Sequence, residues 1–369
     1  MKKILFLFLI FAIASCSTDD GNDGNSNDNF DRSAMMANLA DNIIIPSYEE
    51  LQQALETLTD RKDSFIASRD QSSLDDLRSA YIDAYKKWQR VEMFNIAKAD
   101  EIQYAFQMNV FPTDVNNVED NVINGGYDLT SVNNHDALGF PALDYLLYGV
   151  SAGDQSIINV YNNDNYKDYL SDLIERMKEL TTIVLDDWNA GYRDEFVAGT
   201  ANNATSPINL IVNDYVEYYE RKLRANKIGI PAGVFSNETL PEKVEGLHSR
   251  QFSKELAMEA LTAFQDFFNG VSNVNPNGSP ASLAGYSDAL EDTDSYTDIA
   301  TLSSLINAQI DVARDQMATL DNDFKNQVET NNMEMLQTYD ELQRVVVLMK
   351  VDMLSLLNIS IDYIDADGD

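Results

Sequence analysis

Residues 134–149 read Asn-His-Asp-Ala-Leu-Gly-Phe-Pro-Ala-Leu-Asp-Tyr-Leu-Leu-Tyr-Gly, and this stretch is the most informative in the chain. Its second half has the pattern of a short helix. Gly139 stands just ahead of the helix, and Pro141 suits the first turn, where a missing N–H costs nothing. Asp144 falls near the positive end of the helix dipole, and Gly149 supplies the stop. We therefore expect a short helix that carries Asp144 as its central polar residue.

The same stretch resembles the signature of the imelysin family, which is Gly-x-His-x-x-Glu followed by Tyr-Leu-Leu-Phe/Tyr-Gly. The signature frame here is Gly139, Pro141, Asp144 and Gly149, so proline stands at the histidine position and aspartate at the glutamate position. Three further segments resemble the same family, at residues 78–92, 227–233 and 245–250. The resemblance implies two related helical bundles with the site between them.

The periodicity of the chain independently predicts an all-α protein. Strand-type alternation is scarce, and long stretches repeat their apolar residues at helical spacing. We expect two tandem helical bundles, at residues 32–198 and 199–362, separated by a Gly/Asn/Thr-rich linker. The family resemblance implies that the site lies in the cleft between them. The main predicted helices are 32–69 with an interruption at Pro46, 73–96, 166–188, 207–226, 253–268, 297–320 and 332–359.

The N-terminus has the features of a bacterial lipoprotein. Residues 1–15 combine two lysines, a short apolar run and small residues ahead of Cys16, which is the pattern of a signal peptide with a lipidation site. Residues 16–31 are rich in Ser, Asp, Asn and Gly and read as a flexible tether. We therefore expect attachment to the outer membrane through lipidated Cys16, with the protein facing either the periplasm or the cell surface. A plain signal peptide with an incidental cysteine is the alternative.

The chain is strongly acidic, with a net charge of −35. Such a field repels nucleic acid and favours cationic partners, so we expect no nucleic-acid binding. The plainer interpretation of the charge is a solvated acidic surface. Residues 363–369 begin like a calcium loop but lack the distal glutamate that such a loop requires, and they read as an acidic tail.

The last predicted helix is apolar around most of its circumference, which is typical of a buried helix. Lys350 and Asp352 within it would then need partners. They either lie near a polar cleft between the bundles, or Lys350 extends to the surface.

The family was first described as a peptidase, and its histidine and glutamate are plausible ligands for one metal ion. Pro141 has no lone pair for a metal, so that pair cannot form here. The whole chain has two histidines, His135 and His248, which is little material for a zinc hydrolase. His135 lies in the approach loop, where it is either a substitute metal ligand together with Asp144 or an ordinary loop residue.

The predicted ligand site is centred on Asp144. Trp88 and Tyr148 are expected beside it from the first bundle, although a core position is the plainer interpretation of Trp88. His248 and Arg250 are expected to face Asp144 from the second bundle, with Arg250 as an anchor for a carboxylate ligand. The alternative for these two is a solvated loop ahead of a helix.

A tyrosine-rich stretch offers a second candidate site. Tyr215, Tyr218 and Tyr219 stand beside Glu217 and Glu220, and phenolates with carboxylates can bind ferric iron. Aromatic residues at helical spacing are more often part of a core.

These observations predict a non-catalytic imelysin-like outer-membrane lipoprotein that binds a ligand between its two bundles. The resemblance implies a link to iron or metal acquisition, with iron as the candidate cofactor and an outer-membrane uptake receptor as a candidate partner. One alternative is a metal-dependent peptidase in which His135 or His248 replaces the lost signature histidine. Another is an interaction module that recognises a surface receptor.

Overall fold

The structure, a computed structural model, describes residues 30–201, 203–291 and 300–363. Throughout these residues the regular structure is helical, and no strand occurs among them. No helix in this part of the chain is long and apolar enough to cross a membrane. The predicted signal peptide, Cys16 and all but the last two residues of the tether lie outside the described residues, as does the acidic tail after Tyr363.

The N-terminal half, residues 30–198, is built around three long helices. α2 packs against both α3 and α9, so the three form the core of a bundle. Asp70 and Ser73 form a capping box that fixes the start of α3, and the side chain of Asn163 caps α9. The helices of this half are α1 (Arg32–Leu39), α2 (Ile45–Ser68), α3 (Gln71–Gln89), α4 (Lys98–Glu101), α5 (Tyr104–Met108), α6 (Val115–Asn124), α7 (Gly139–Asp144), α8 (Asp154–Val160), α9 (Asp164–Asp187) and α10 (Arg193–Ala198).

The C-terminal half, residues 199–363, has its own helical core. α15 packs along α16, and α13 packs on α15. The side chain of Thr301 caps α15, and α13 ends at Gly270, which adopts the left-handed conformation. The helices of this half are α11 (Pro207–Glu217), α12 (Ile230–Ala232), α13 (Ser253–Asn269), α14 (Leu283–Leu290), α15 (Leu302–Ala318), α16 (Phe324–Val347) and α17 (Leu354–Leu356).

Several of these helices are joined by π-helical segments, in which each backbone bond spans one residue more than in an α-helix. The longest segment continues α11 and packs against α16. Another continues α7, the helix of the signature. The π-helical segments are Ala40–Ile44, Tyr145–Gly149, Trp188–Tyr192, Tyr218–Gly229 and Leu348–Met353.

The two halves are in direct contact. α3 of the N-terminal half packs against α13 of the C-terminal half, with the ion pair between Lys86 and Glu255 at 2.7 Å on this boundary. The predicted linker at residues 199–206 falls between α10 and α11. The all-α fold is confirmed.

The last helices differ from the prediction. Val347 and Val351 are 50% and 60% exposed, so this region has an open face and is not buried on all sides. Lys350 donates a hydrogen bond to Glu220 at 3.2 Å, and Asp352 is exposed to solvent. The apolar composition therefore overstates the burial of this helix.

Candidate functional site

The signature helix depends on a glycine that no other residue could replace without a shift of the backbone. Gly139 has a φ of 66°, and a Cβ added to it would lie 2.1 Å from the carbonyl oxygen of Met108. Pro141 occupies the first turn of α7, as expected, and Phe140 stacks on Tyr85 with ring centroids 4.5 Å apart. These contacts bury α7 and fix where Asp144 lies.

Asp144 is the last residue of α7, and the helix continues into the π-helical segment Tyr145–Gly149. It is therefore not at the positive end of the helix dipole, and that part of our prediction is wrong. The carboxylate instead receives its hydrogen bonds from the other half. Its Oδ2 accepts from the backbone N–H of His248 at 2.7 Å, and its Oδ1 accepts from that of Ser249 at 3.1 Å.

Burial raises the pKa of Asp144 to about 6, against the opposing effect of these hydrogen bonds, and nearby Glu245 acts in the same direction as burial. The Asp144 side chain is 2% exposed. Both of its oxygens accept hydrogen bonds from backbone N–H groups of the segment around Gly246. The carboxylate therefore connects the signature helix to the C-terminal half. The structure thus brings Asp144 together with the backbone of His248.

The residues at the signature do not fit a metal ion. Proline stands at the histidine position, and both oxygens of Asp144 are occupied by backbone N–H groups. Among the described residues, no group of three or more His, Cys, Asp or Glu side chains is arranged to hold a metal. We therefore assign no metal chemistry to this position.

His248 packs against the end of the signature helix. Its imidazole lies 5.1 Å from the ring of Tyr145, and a Cβ added to Gly149 would lie 2.5 Å from its Nδ1. Burial lowers the pKa of His248 to about 4, and Lys325 acts in the same direction, so the ring is neutral at physiological pH. Its Nε2 is buried and has no hydrogen-bond partner among the described residues.

Arg250 does not take the role that we predict for it. Its backbone has a φ of 57°, and its guanidinium donates to Asp323 within the same half at 2.8 Å. The side chain is 49% exposed, which makes this a surface ion pair. The positive φ turns the side chain toward Asp323, which the sequence spacing does not reveal.

The remaining predicted residues, Trp88, Tyr148 and His135, belong to the N-terminal half. Trp88 is fully buried, its ring lies 5.2 Å from that of Tyr104, and its Nε1 has no hydrogen-bond partner in the described part of the chain. Tyr148 is partly buried, with the guanidinium of Arg78 4.4 Å from its ring centre. His135 stacks on Phe106 at 6.2 Å, and burial lowers its pKa.

The three tyrosines of the tyrosine-rich stretch lie in different environments. Tyr215 stacks on Phe264 at 4.0 Å and donates to its carbonyl oxygen, and Tyr219 donates to the carbonyl oxygen of Leu342. Both are core residues. Tyr218 faces the boundary between the halves, where Glu217 also lies. The three phenols therefore do not converge on one ion.

A buried charged network joins the halves beside Asp144, and sequence reasoning did not identify it. Lys227 Nζ lies 2.6 Å from Glu245 Oε2 and 3.9 Å from Glu92 Oε2, and all three side chains are almost fully buried. Asn109 donates to Glu92 at 3.2 Å and to Glu245 at 2.9 Å. Gln89 also donates to Glu245. Glu92 and Asn109 come from the N-terminal half, and Lys227 and Glu245 from the C-terminal half.

This network borders a cavity of about 680 Å³ between the halves, which we call the interface pocket. Glu92 and Tyr218 form part of its wall, and each has a buried oxygen with no hydrogen-bond partner among the described residues, Glu92 Oε2 and Tyr218 Oη. Buried polar atoms without partners are rare, and each calls for an explanation. Phe106 and Phe235, one from each half, also line the pocket.

A second cavity of about 590 Å³ lies between residues 42–94 and residues 259–276. Its cationic side chains are already paired, Lys87 with Glu50 at 2.7 Å and Arg90 with Glu259 at 2.5 Å. None of the unpartnered buried side-chain atoms in the described chain belongs to its lining residues. The interface pocket is therefore the better candidate for ligand binding.

Two solved structures resemble the chain closely in fold. An imelysin-like protein from Psychrobacter arcticum 273-4 has a TM-score of 0.71 at 15% identity, with 90% of this chain and 97% of that chain covered. A "putative iron-regulated protein A precursor" from Parabacteroides distasonis ATCC 8503 has a TM-score of 0.63 at 18% identity, with 87% and 94% covered. No curated protein matches the chain significantly. The model of the imelysin family, peptidase family M75, matches residues 44–348, and the chain therefore belongs to the imelysin family.

Proposed function

We propose that this imelysin-family protein is a non-catalytic binding protein that holds a small molecule or a metal complex in the interface pocket. The observation that carries the proposal is a cavity of about 680 Å³ between the halves, two of whose lining residues, Glu92 and Tyr218, each keep a buried oxygen without a hydrogen-bond partner among the described residues. A cavity of this size with a few fixed polar groups is typical of a ligand site. Asp144 and His248 hold the two halves together beside it.

The non-catalytic part of the proposal rests on the altered signature. Pro141 offers no ligand atom, and Asp144 is committed to two backbone donors. The link to iron acquisition rests on the family and on the name of the Parabacteroides protein, which connects that protein with iron regulation. In this proposal the protein is attached to the outer membrane through lipidated Cys16 and works with an uptake receptor.

Retention of metal complexes tests the binding activity. The full-length protein is incubated with ferric citrate, haemin, ferric chloride or zinc chloride, passed over a desalting column and assayed for metal by elemental analysis. We expect a complexed metal to be retained by the wild type and lost in Tyr218→Ala, which opens the pocket wall. Glu329→Gln, at an exposed position outside the pocket, should retain metal like the wild type.

A casein-hydrolysis assay on the same samples tests the non-catalytic assignment. We expect no hydrolysis with any added metal. Hydrolysis that a chelator abolishes, and that disappears in His135→Ala or His248→Ala, would overturn the assignment in favour of the peptidase alternative.

Membrane attachment has its own test. Cells that express the wild-type chain are labelled with radioactive palmitate and fractionated. We expect label in the outer-membrane fraction for the wild type and none for Cys16→Ser, and a labelled Cys16→Ser protein would contradict the lipidation site.

A further inference from the structure

We propose that the interface pocket recognises an organic cation, an ammonium group carried on a flat apolar body, with the ammonium at Glu92. This inference rests on the proposed function and names the chemical class of its ligand. A metal complex with an amine arm belongs to the same class.

Two residues that line the pocket carry acceptor oxygens. Glu92 and Tyr218 are 5% and 4% exposed, and both line the pocket. Glu92 Oε1 accepts from Asn109, but Oε2 is buried and has no hydrogen bond within the described residues. Lys227 lies 3.9 Å from Oε2 and is bonded to Glu245 at 2.6 Å. A carboxylate oxygen can only accept, so the group that completes it must be a donor, and a charged donor forms the strongest bond.

The balance of charge around the pocket points the same way. Asp100, Asp214 and Glu217 line it together with Glu92, while Arg221 and Lys222 supply its basic groups. Arg221 is already paired with Glu217 at 2.8 Å. Lys227 and Glu245, which border the pocket, add one cation and one carboxyl group, so they leave the difference between the two numbers unchanged. The pocket therefore has more carboxyl groups than cations, and a cationic ligand would balance them.

Two carboxyl groups of the pocket have raised pKa values, and burial is the main cause of each. Burial raises the pKa of Asp214 well above its ordinary value, and repulsion from Glu217, Asp100 and Asp362 raises it further, while the N–H of Asn95 opposes the shift. Burial also raises the pKa of Glu92, against the effects of Lys227 and Lys222, with Glu245 adding to the rise. A cation bound in the pocket would lower the pKa of both carboxyl groups.

The apolar side comes from two exposed aromatic rings. Phe106 of the N-terminal half is 51% exposed and Phe235 of the C-terminal half is 42% exposed, and both line the pocket. Lys222 Nζ lies 5.5 Å from the centre of the Phe106 ring, and the guanidinium of Arg224 lies 5.9 Å from that of Phe235, so both rings already contact cations. Rings of this kind bind flat apolar bodies, and their faces also attract cations.

The test uses three probes that share one indole body and differ only in charge: tryptamine, tryptophol and indole-3-acetate. Binding to the full-length protein is measured by isothermal titration calorimetry at pH 7.5. We expect tryptamine to bind about tenfold or more tightly than tryptophol, because a charged donor at a buried carboxylate outweighs a neutral one. Indole-3-acetate should bind most weakly.

Variants then locate the ammonium group. Glu92→Gln keeps the shape of the side chain and removes its charge, so it should weaken tryptamine about tenfold and leave tryptophol nearly unchanged. Phe235→Ala should weaken both probes equally. Glu329→Gln removes the same charge at an exposed position outside the pocket and should change neither. If Glu92→Gln fails to fold, Tyr218→Phe tests the other acceptor, the hydroxyl oxygen of Tyr218.

Three outcomes would overturn the cation assignment. These are equal affinity for tryptamine and tryptophol, preference for indole-3-acetate, and the absence of binding by all three probes. The metal-complex panel remains an independent test of the proposed function. Retained metal complex without preference for the cationic indole would refute only this inference, whereas failure of both panels would refute the binding function as well.

Discussion

Gly139 illustrates how a single residue fixes the site. Its positive φ disfavours any side chain, and the carbonyl of Met108 occupies the space that a Cβ would need. We expect Gly139→Ala to lower the free energy of unfolding by about 3 kcal/mol, because strain and a backbone clash act together. Urea denaturation followed by far-UV circular dichroism measures the loss.

Gly126 provides the matched control. Its φ is 65°, nearly the same as that of Gly139, and nothing lies within 4 Å of the position of its Cβ. Gly126→Ala should therefore cost only the strain, about 1 kcal/mol. Equal losses in the two variants would show that the contact with Met108 is not what requires glycine at position 139.

The pairing of Asp144 with the segment around His248 could be predicted from the sequence, because both lie in segments that resemble one family. Glu92, Lys227 and Glu245 could not be predicted in the same way. Lys227 is 135 positions from Glu92 along the chain, and with 61 acidic residues no single glutamate stands out by type. Only the fold shows which of them are buried together.

At the level of elements, helix identity was predictable and helix ends were less so. The predicted helix 73–96 ends at Gln89, because the chain turns at residues 90–93. The interruption near Pro46 is a π-helical segment, Ala40–Ile44, after which α2 begins with Pro46 in its first turn. The apolar period of 3.6 residues predicts an α-helix and carries no clear signal for one extra residue in a turn.

The π-helical segment Tyr145–Gly149 ends against His248 of the C-terminal half. A Cβ on Gly149 would lie 2.5 Å from Nδ1 of the buried His248 ring. We expect Gly149→Ala to destabilise the protein by about 2 kcal/mol, as is usual when a packed contact is overfilled. Thermal and urea unfolding measure the change.

A double-mutant cycle identifies the cause. In the His248→Ala background the ring is absent, so Gly149→Ala should cost much less than it does in the wild type. If Gly149→Ala costs the same in both backgrounds, the contact with His248 does not set the requirement for glycine.

At the scale of the whole molecule, Lys227 lies between two buried carboxylates, Glu245 of its own half at 2.6 Å and Glu92 of the other half at 3.9 Å. Lys227→Met leaves Glu92 and Glu245 without their cation, and we expect it to destabilise the protein by about 3–5 kcal/mol. The double variant with Glu245→Gln should recover part of this loss, because it removes one of the two uncompensated charges. Urea unfolding of the three proteins tests both statements.

Lys86→Met is the control for this experiment. Lys86 also pairs across the halves, with Glu255 at 2.7 Å, but both side chains are exposed enough for solvent to screen them. It should cost at most about 1 kcal/mol. Similar losses for Lys86→Met and Lys227→Met would contradict the assignment of the interface energy to the buried network.

The contact between Asp144 and His248 has a consequence for proton binding. The ordinary pKa values are 3.8 for the carboxyl and 6.5 for the imidazole, and in the folded protein they are about 6 and about 4. Between pH 4 and pH 6 the unfolded chain thus carries one proton of this pair on the imidazole, and the folded chain carries one on the carboxyl. Because both states bind the same number, the pair leaves stability independent of pH in this range.

Substituting either residue makes the stability depend on pH through the residue that remains. With His248→Gln, Asp144 remains, the folded state binds the extra proton, and stability should fall as the pH rises from 4 to 6, by at most about 1.4 kcal/mol per pH unit. With Asp144→Asn, His248 remains, the unfolded state binds the extra proton, and stability should rise over the same range. Urea unfolding at pH 4.5 and 5.5, each variant compared with wild type, measures the slopes, and slopes of the same sign would contradict the exchange. Folding at this contact therefore moves a proton from the imidazolium of His248 to the carboxylate of Asp144, with no net uptake from the solvent.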